Sequence, residues 1–186
     1  MKRGALIVIE GVDRTGKSTQ AKILVENLKN KNINSEYRNF PARDTEVGKV
    51  INNYLQSKLS DEVIHLLFSA NRWERAKNII KTLEAGITLI VDRYCYSGVA
   101  FSAAKGLDIN WCKSPDAGLP KPDKVFFLTM PFDMIMQRKG FGNERLVCAT
   151  LANIIFFFLR VLYQKLTLIS HCQSRLPQAL PYFFLI

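Results

Sequence analysis

The chain has 186 residues, of which 48% are hydrophobic and 23% charged. This length fits one domain with a sizeable core, and the composition excludes a collagen, a disulfide scaffold and a wholly disordered chain. Lysine and arginine number 26 against 16 acidic residues, a formal net charge of +10 at pH 7. Such a charge indicates an anionic partner: a nucleotide, a nucleic acid or an acidic membrane surface.

The hydrophobic pattern up to residue 145 alternates strands and helices. Short apolar runs predict buried strands at residues 5–9, 87–91 and 125–128, and a further short strand, closed by Pro41, is predicted at residues 35–40. Helices are predicted at residues 19–31, 45–56, 61–84 and 97–105, the third of them capped by Ser60. This alternation predicts a three-layer α/β/α fold around a parallel sheet with right-handed crossovers.

Residues 11–18 match the phosphate-loop pattern G-x-x-x-x-G-K-[ST], and they lie between a predicted strand and a predicted helix. Gly11 and Gly16 permit backbone angles that turn successive N–H groups inward around an anion. Lys17 is predicted to reach the β- and γ-phosphates of a nucleoside triphosphate, and the Ser18 hydroxyl to bind Mg²⁺. Asp92, which follows a buried strand, is predicted to be the second protein group at the metal, with a strand-end cap as the alternative.

Seven segments in the body resemble the thymidylate kinase family, in its eukaryotic form. They are residues 11–19 (GVDRTGKST), 40–43 (FPAR), 67–74 (LFSANRWE), 91–94 (VDRY), 97–101 (SGVAF), 118–123 (GLPKPD) and 140–145 (GFGNER). The resemblance covers residues 4–145. It implies a P-loop nucleoside-monophosphate-kinase-like fold that transfers the γ-phosphate of ATP to dTMP, with Mg²⁺ as cofactor, to supply dTDP for dTTP synthesis.

The resemblance also implies a role for each matching residue on the donor side. Lys17, Arg14 and Arg93 would be catalytic, because they would stabilise charge on the transferred group, and Ser18 and Asp92 would place the metal. ATP would bind to Gly11, Val12, Asp13, Arg14, Thr15, Gly16, Lys17, Ser18 and Thr19. Arg14 matches relatives that use a basic loop residue on the γ-phosphate in place of an arginine-rich lid, and the lid predicted at residues 138–145 is glycine-rich.

On the acceptor side, a monophosphate is already an anion and needs cations rather than a general base. Phe68 and Arg72 lie four residues apart on one helix face. From the residues alone, Phe68 is interpreted as a core ring and Arg72 as a solvated partner of a helix carboxylate. For Arg43, an ordinary surface residue is the alternative. In the family, the matching residues bind the phosphate, sugar and base of dTMP: Asp13, Phe40, Arg43, Phe68, Arg72, Arg93, Ser97, Gly98 and Phe101. Ala42 departs from the family, whose members carry an acidic residue there.

The resemblance ends after Arg145, and residues 146–186 form an apolar tail without a single acidic residue. The family's last strand, adenine-contacting loop and last helix are not recognisable in the tail. The tail is interpreted as translated intron, a frame-shifted exon or a gene-model error. A membrane anchor and a genuine alternative isoform are the two other interpretations. We therefore expect a body at residues 1–145 followed by a non-family tail, poor solubility and weak or absent kinase activity.

Two other functions stay open: a catalytically inactive nucleotide-binding form, and a P-loop protein associated with a membrane or a nucleic acid. The resemblance itself implies a homodimer located in the cytoplasm, with the nucleus and mitochondrion as alternatives. It implies ATP and dTMP as binding partners, and neither a nucleic acid nor a membrane.

Overall fold

The computed structural model describes residues 2–54, 59–130, 134–135 and 167–169. Within these residues, the sheet has five parallel strands in the order β2-β3-β1-β4-β5. The strands are β1 (Leu6–Gly11), β2 (Ser35–Asn39), β3 (Thr88–Asp92), β4 (Lys124–Leu128) and β5 (Thr167–Ile169). The carboxyl ends of β1 and β3 lie side by side at the centre of the sheet, with Ile9 opposite Asp92.

Helices cover both faces of this sheet. They are α1 (Lys17–Asn30), α2 (Glu46–Tyr54), α3 (Asp61–Glu84), α4 (Cys95–Ala104) and α5 (Ile109–Lys113), followed by a 3₁₀ turn at Ser114–Asp116. Among the described residues, no helix combines the length and the apolar character needed to cross a membrane.

The two central strands are buried on both sides, which explains their continuous apolar runs. On one face, Leu6 and Leu89 belong to a core cluster with Leu83 of α3. On the other face, Ile9 and Ile90 pack with Ala21 of α1 and its neighbours. The expected three-layer α/β/α fold with a parallel sheet is therefore confirmed.

The boundaries of two predicted helices have clear local causes. Helix α1 begins at Lys17, two residues earlier than predicted, because Gly16 turns the chain with φ 90° and ψ 16°. Helix α3 begins at Asp61, and the Ser60 hydroxyl accepts a hydrogen bond from the Val63 N–H at 3.5 Å, so the predicted cap is confirmed.

Two elements were not predicted. Helix α5 is too short to show a hydrophobic period, and its start is marked by the Asp108 carboxylate, which accepts from the Trp111 N–H at 2.8 Å.

Strand β5 lies in the tail, where no element was predicted and the loss of a last strand was expected. It pairs with β4 in parallel, with Leu128 opposite Ile169, so the sheet continues beyond β4. The expected loss of the last helix falls outside the described residues.

Candidate active site

The phosphate loop joins β1 to α1 at the carboxyl edge of the sheet. Gly11 has φ 145°, and a Cβ placed there would lie closer than 3.0 Å to the Leu128 carbonyl oxygen. Arg14 also adopts a left-handed conformation, with φ 67°. The loop therefore turns sharply against the end of β4, and only glycine fits at its first position.

Lys17 is buried within this loop, with 5% of its surface exposed. Its Nζ donates to the Val12 carbonyl oxygen at 2.6 Å and lies 3.9 Å from Asp13 Oδ1. Burial, and after it the nearby Arg93 guanidinium, lower the pKa of Lys17 to about 8. A partly desolvated ammonium of this kind interacts strongly with phosphate oxygens, because little water screens it.

Ser18 and Asp92, the two residues predicted to bind Mg²⁺, lie in direct contact. The Ser18 hydroxyl donates to Asp92 Oδ2, and the Tyr37 hydroxyl donates to the same oxygen at 3.2 Å. Asp92 Oδ1 is buried and has no hydrogen-bond partner among the described residues. A hydroxyl and an unsatisfied carboxylate oxygen are hard donors that suit Mg²⁺.

The same region lacks a complete protein cage for a metal. Within the part of the chain that the structure describes, no three His, Cys, Asp or Glu side chains cluster closely enough to hold an ion. Ser18 and Asp92 would therefore hold Mg²⁺ together with phosphate oxygens and water, as is usual for this ion.

Tyr37 was not predicted to belong to the site. It lies on β2, the neighbour of β3, and nothing in the strand pattern distinguishes it from a packing residue. Burial and the Asp92 carboxylate raise the pKa of Tyr37 to about 12, so the phenol keeps its proton and acts as a donor to Asp92.

Arg93 links the ends of the two central strands. Its backbone, with φ 66°, leaves β3 in a left-handed turn, and its N–H donates to the Ile9 carbonyl oxygen at 2.9 Å. Its Nη2 donates to Asp13 Oδ1. Arg93, Asp13 and Lys17 therefore form one charged cluster at the phosphate loop.

Phe40 and Arg43 lie on the segment after β2. Phe40 is 6% exposed, and its ring centroid is 5.8 Å from that of Tyr94. Arg43 is exposed and donates to Asn52 Oδ1 of α2. The segment itself is fixed by Asn71, which was not predicted: its Oδ1 accepts from the Ala42 N–H at 2.7 Å, and its Nδ2 donates to the Ala42 carbonyl oxygen at 3.0 Å.

Arg72 is buried rather than solvated. Its Nε and Nη2 donate to the two carboxylate oxygens of Asp116, at 2.9 and 2.7 Å. A Cβ on Gly98 would lie 3.4 Å from Arg72 Nη1, so α4 passes very close to the guanidinium. The structure therefore brings Arg72 together with Gly98, and it places the predicted rings Phe68 and Phe101 half-buried on α3 and α4.

The start of α4 depends on a residue that sequence reasoning missed. Glu10, fully buried at the end of β1, accepts from the Tyr94 N–H at 2.9 Å and the Ser97 N–H at 3.2 Å through Oε1. The helix makes no side-chain cap of its own at Tyr94. Glu10 therefore ties β1, the strand before the phosphate loop, to the helix that carries Ser97, Gly98 and Phe101. The predicted lid at residues 138–145 lies outside the described residues.

Comparisons with known proteins point to one family. The thymidylate kinase family model matches residues 9–164. The thymidylate kinase of Schizosaccharomyces pombe is 54% identical over 145 residues, which are 77% of this chain and 69% of that protein. The human thymidylate kinase is 53% identical over 147 residues, with the same two coverages.

Solved structures lead to the same fold. The structure of thymidylate kinase from Candida albicans matches with a TM-score of 0.80 and 40% identity, over 90% of this chain and 84% of that chain. The thymidylate kinase from Ehrlichia chaffeensis matches with a TM-score of 0.71 at 21% identity, a likeness of fold alone.

Proposed function

Because the chain belongs to the thymidylate kinase family, we propose that it transfers the γ-phosphate of ATP to dTMP in the cytoplasm. The products are ADP and dTDP. The observation that carries the proposal is the cluster at the carboxyl ends of β1 and β3, where Lys17 and Arg93 lie beside the Ser18–Asp92 pair. Parallel α/β sheets bind ligands at this edge.

On the donor side, the phosphate-loop N–H groups hold the ATP phosphates, and Lys17 lies against the β- and γ-phosphates. Arg14 contacts the γ-phosphate. Ser18 and Asp92 would hold Mg²⁺, which would supply positive charge against the phosphate oxygens. The burial of Lys17 makes its ammonium effective here, because charge developing on the transferred group is poorly screened by water.

In the transfer, an oxygen of the dTMP phosphate attacks the γ-phosphorus in line with the leaving group. The bond from that phosphorus to the bridging oxygen breaks, and its electrons leave with ADP. The acceptor oxygen is already anionic, so no general base is needed. Arg93 and Lys17 offset the negative charge of the two phosphate groups as they approach, and Arg43 helps to hold the acceptor.

The acceptor pocket lies between α3 and α4. Phe68 stacks on the base, Arg72 donates to the base oxygen at position 4, and Phe101 packs against the sugar. The closeness of Gly98 to Arg72 supports this arrangement, because a larger residue at Gly98 would cover the guanidinium. Phe40, Ser97 and Asp13 complete the contacts, the last with the 3′-hydroxyl.

An acceptor panel tests this assignment. With Mg²⁺-ATP as donor, we expect the highest kcat/KM for dTMP among dTMP, dUMP, dCMP and GMP, because only the thymine base presents an oxygen at position 4 together with a methyl group. Formation of ADP and of each diphosphate is measured chromatographically. A higher kcat/KM for any other member of the panel would show that the acceptor is misassigned.

ATP binding should be coupled to proton uptake near pH 8. The pKa of Lys17 is lowered to about 8 in the free protein, so a substantial fraction of its side chains is neutral at that pH, and bound phosphates should raise its pKa. We expect a measurable uptake of protons per ATP at pH 8 and much less at pH 6, where Lys17 is already charged. Calorimetry in buffers of different ionisation enthalpy measures this number, and an uptake that is no larger at pH 8 than at pH 6 would contradict it.

A homodimer is proposed to form through an apolar stripe on the outer face of α3. The stripe consists of Val63, Leu66, Trp73 and Ile80, each 42 to 45% exposed and spaced to lie along one side of the helix. Leu66→Glu should weaken dimerisation at least tenfold, because it puts a charge into an apolar contact. Ile33→Glu is the control, since Ile33 is equally exposed but lies off this helix. An unchanged dimer of Leu66→Glu in sedimentation experiments would disprove the interface.

A further inference from the structure

We propose that Asp116 is a positioning residue that fixes the Arg72 guanidinium in the acceptor pocket and so sets the preference for a pyrimidine with an oxygen at position 4. The inference rests on the proposed function, since it assigns a further residue to the acceptor side of that reaction. Asp116 lies in the 3₁₀ turn after α5, 44 residues beyond Arg72 in the chain.

The Arg72–Asp116 pair is held rigidly. Arg72 and Asp116 form a two-bonded ion pair with only 2% and 6% of their side chains exposed. The Ser69 hydroxyl donates to Asp116 Oδ1 at 2.8 Å. The Trp73 indole N–H donates to the neighbouring Pro115 carbonyl oxygen at 2.7 Å. Helix α3 therefore holds the turn at three points, and the carboxylate has little freedom to move.

The ion pair leaves one edge of the Arg72 guanidinium without a hydrogen-bond partner among the described residues. Nε and Nη2 are used by Asp116, whereas Nη1 has no acceptor among the described residues. Nη1 is the closest atom to the position that a Gly98 Cβ would take, at 3.4 Å. The absence of a side chain at Gly98 thus leaves room beside Nη1. A ligand group entering between α3 and α4 meets this N–H edge in a fixed orientation.

Asp116 also determines the net charge that Arg72 presents to a ligand. Because Asp116 compensates the charge of Arg72, the pocket offers directed N–H donors without a net positive charge. An uncharged carbonyl oxygen, such as that at position 4 of thymine, satisfies such a donor. The amino group at position 4 of cytosine is itself a donor and would leave the buried N–H unpaired, which a site of this kind penalises strongly.

The experiment compares dissociation constants of dTMP and dCMP by calorimetry on the full chain. Asp116→Asn keeps the size of the side chain but removes its charge and one acceptor oxygen. We expect the ratio of the dCMP to the dTMP constant to fall at least tenfold, while the constant for ATP changes less than twofold. Asp61→Asn is the matched control, because it removes the carboxylate charge from an exposed ion pair of α3, the helix that carries Arg72. Asp61 lies 2.5 Å from Lys105 in that pair, and the variant should leave the ratio unchanged.

A folded Asp116→Asn protein with an unchanged ratio would overturn the inference, since a merely structural role would weaken both ligands together. If thermal melting shows that this variant does not fold, Ser69→Ala decides, because it removes only one donor to the carboxylate. We expect at least a threefold fall in the ratio for Ser69→Ala, and no fall would overturn the inference. A wild-type chain without preference for dTMP over dCMP would instead refute the proposed acceptor, and the inference with it.

Discussion

Lys17→Ala should lower kcat for phosphoryl transfer by about 10³-fold or more, the range seen when a charge-stabilising group is removed from a phosphoryl- or acyl-transfer site. The Lys17 ammonium is 5% exposed within the phosphate loop, so water replaces it poorly. Burial lowers its pKa to about 8, which means that the fold does not depend on this charge for stability. The variant should therefore fold and lose transfer.

The loss is measured as the initial rate of dTDP formation under saturating Mg²⁺-ATP. Lys29→Ala is the control, because Lys29 is exposed in the last turn of the same helix and lies away from the loop. Thermal melting of both variants should stay close to that of the parent chain. Turnover of Lys17→Ala within tenfold of the parent would remove Lys17 from the catalytic residues.

Gly11→Ala should destabilise the protein by about 3 kcal/mol, the sum of left-handed backbone strain and overpacking. The added Cβ would come closer than 3.0 Å to the Leu128 carbonyl oxygen and within 3.1 Å of Thr15 Oγ1, at φ 145°. Relief requires the loop to move away from β4, which would spread the N–H groups that are proposed to bind phosphate. We therefore expect ATP affinity to fall at least tenfold in any variant that still folds.

A second glycine provides a control that separates the effect of backbone strain from that of the steric contact with Leu128. Gly106 also has a left-handed backbone, with φ 99°, but a Cβ there meets no atom of the described residues within 4 Å. Gly106→Ala should cost about 1 kcal/mol through strain alone and leave ATP binding unchanged. Denaturant unfolding and ATP calorimetry on both variants test this, and equal losses of stability would show that the contact with Leu128 carries no energy.

The central fold was predictable because its signals are local. A buried strand, a glycine-bounded loop and a helix follow one another within residues 5–31, and Ser60 marks the start of α3 in the sequence itself. Each of these elements depends on near neighbours in the chain, so periodicity and capping residues suffice. The roles assigned to the site residues, and the division at residue 145, stay predictions.

The contacts that hold the proposed acceptor site could not be predicted in this way. Glu10 caps α4 across 84 residues, and Asp116 pairs with Arg72 across 44. In the sequence, each of these carboxylates looks like an ordinary polar residue, because its partner is set by the packing of α3 and α4 rather than by spacing. Helix α5 was missed because five residues are too few to show a helical period.

Product formation from Mg²⁺-ATP and dTMP tests the proposed function most directly. We expect the chain to form dTDP and ADP in equal amounts, at a rate that residues 146–186 are expected to make low. Lys17→Ala should form neither product above background. If the parent chain binds ATP and dTMP but forms no more dTDP than Lys17→Ala does, it is a nucleotide-binding protein without kinase activity, and the proposed function is wrong.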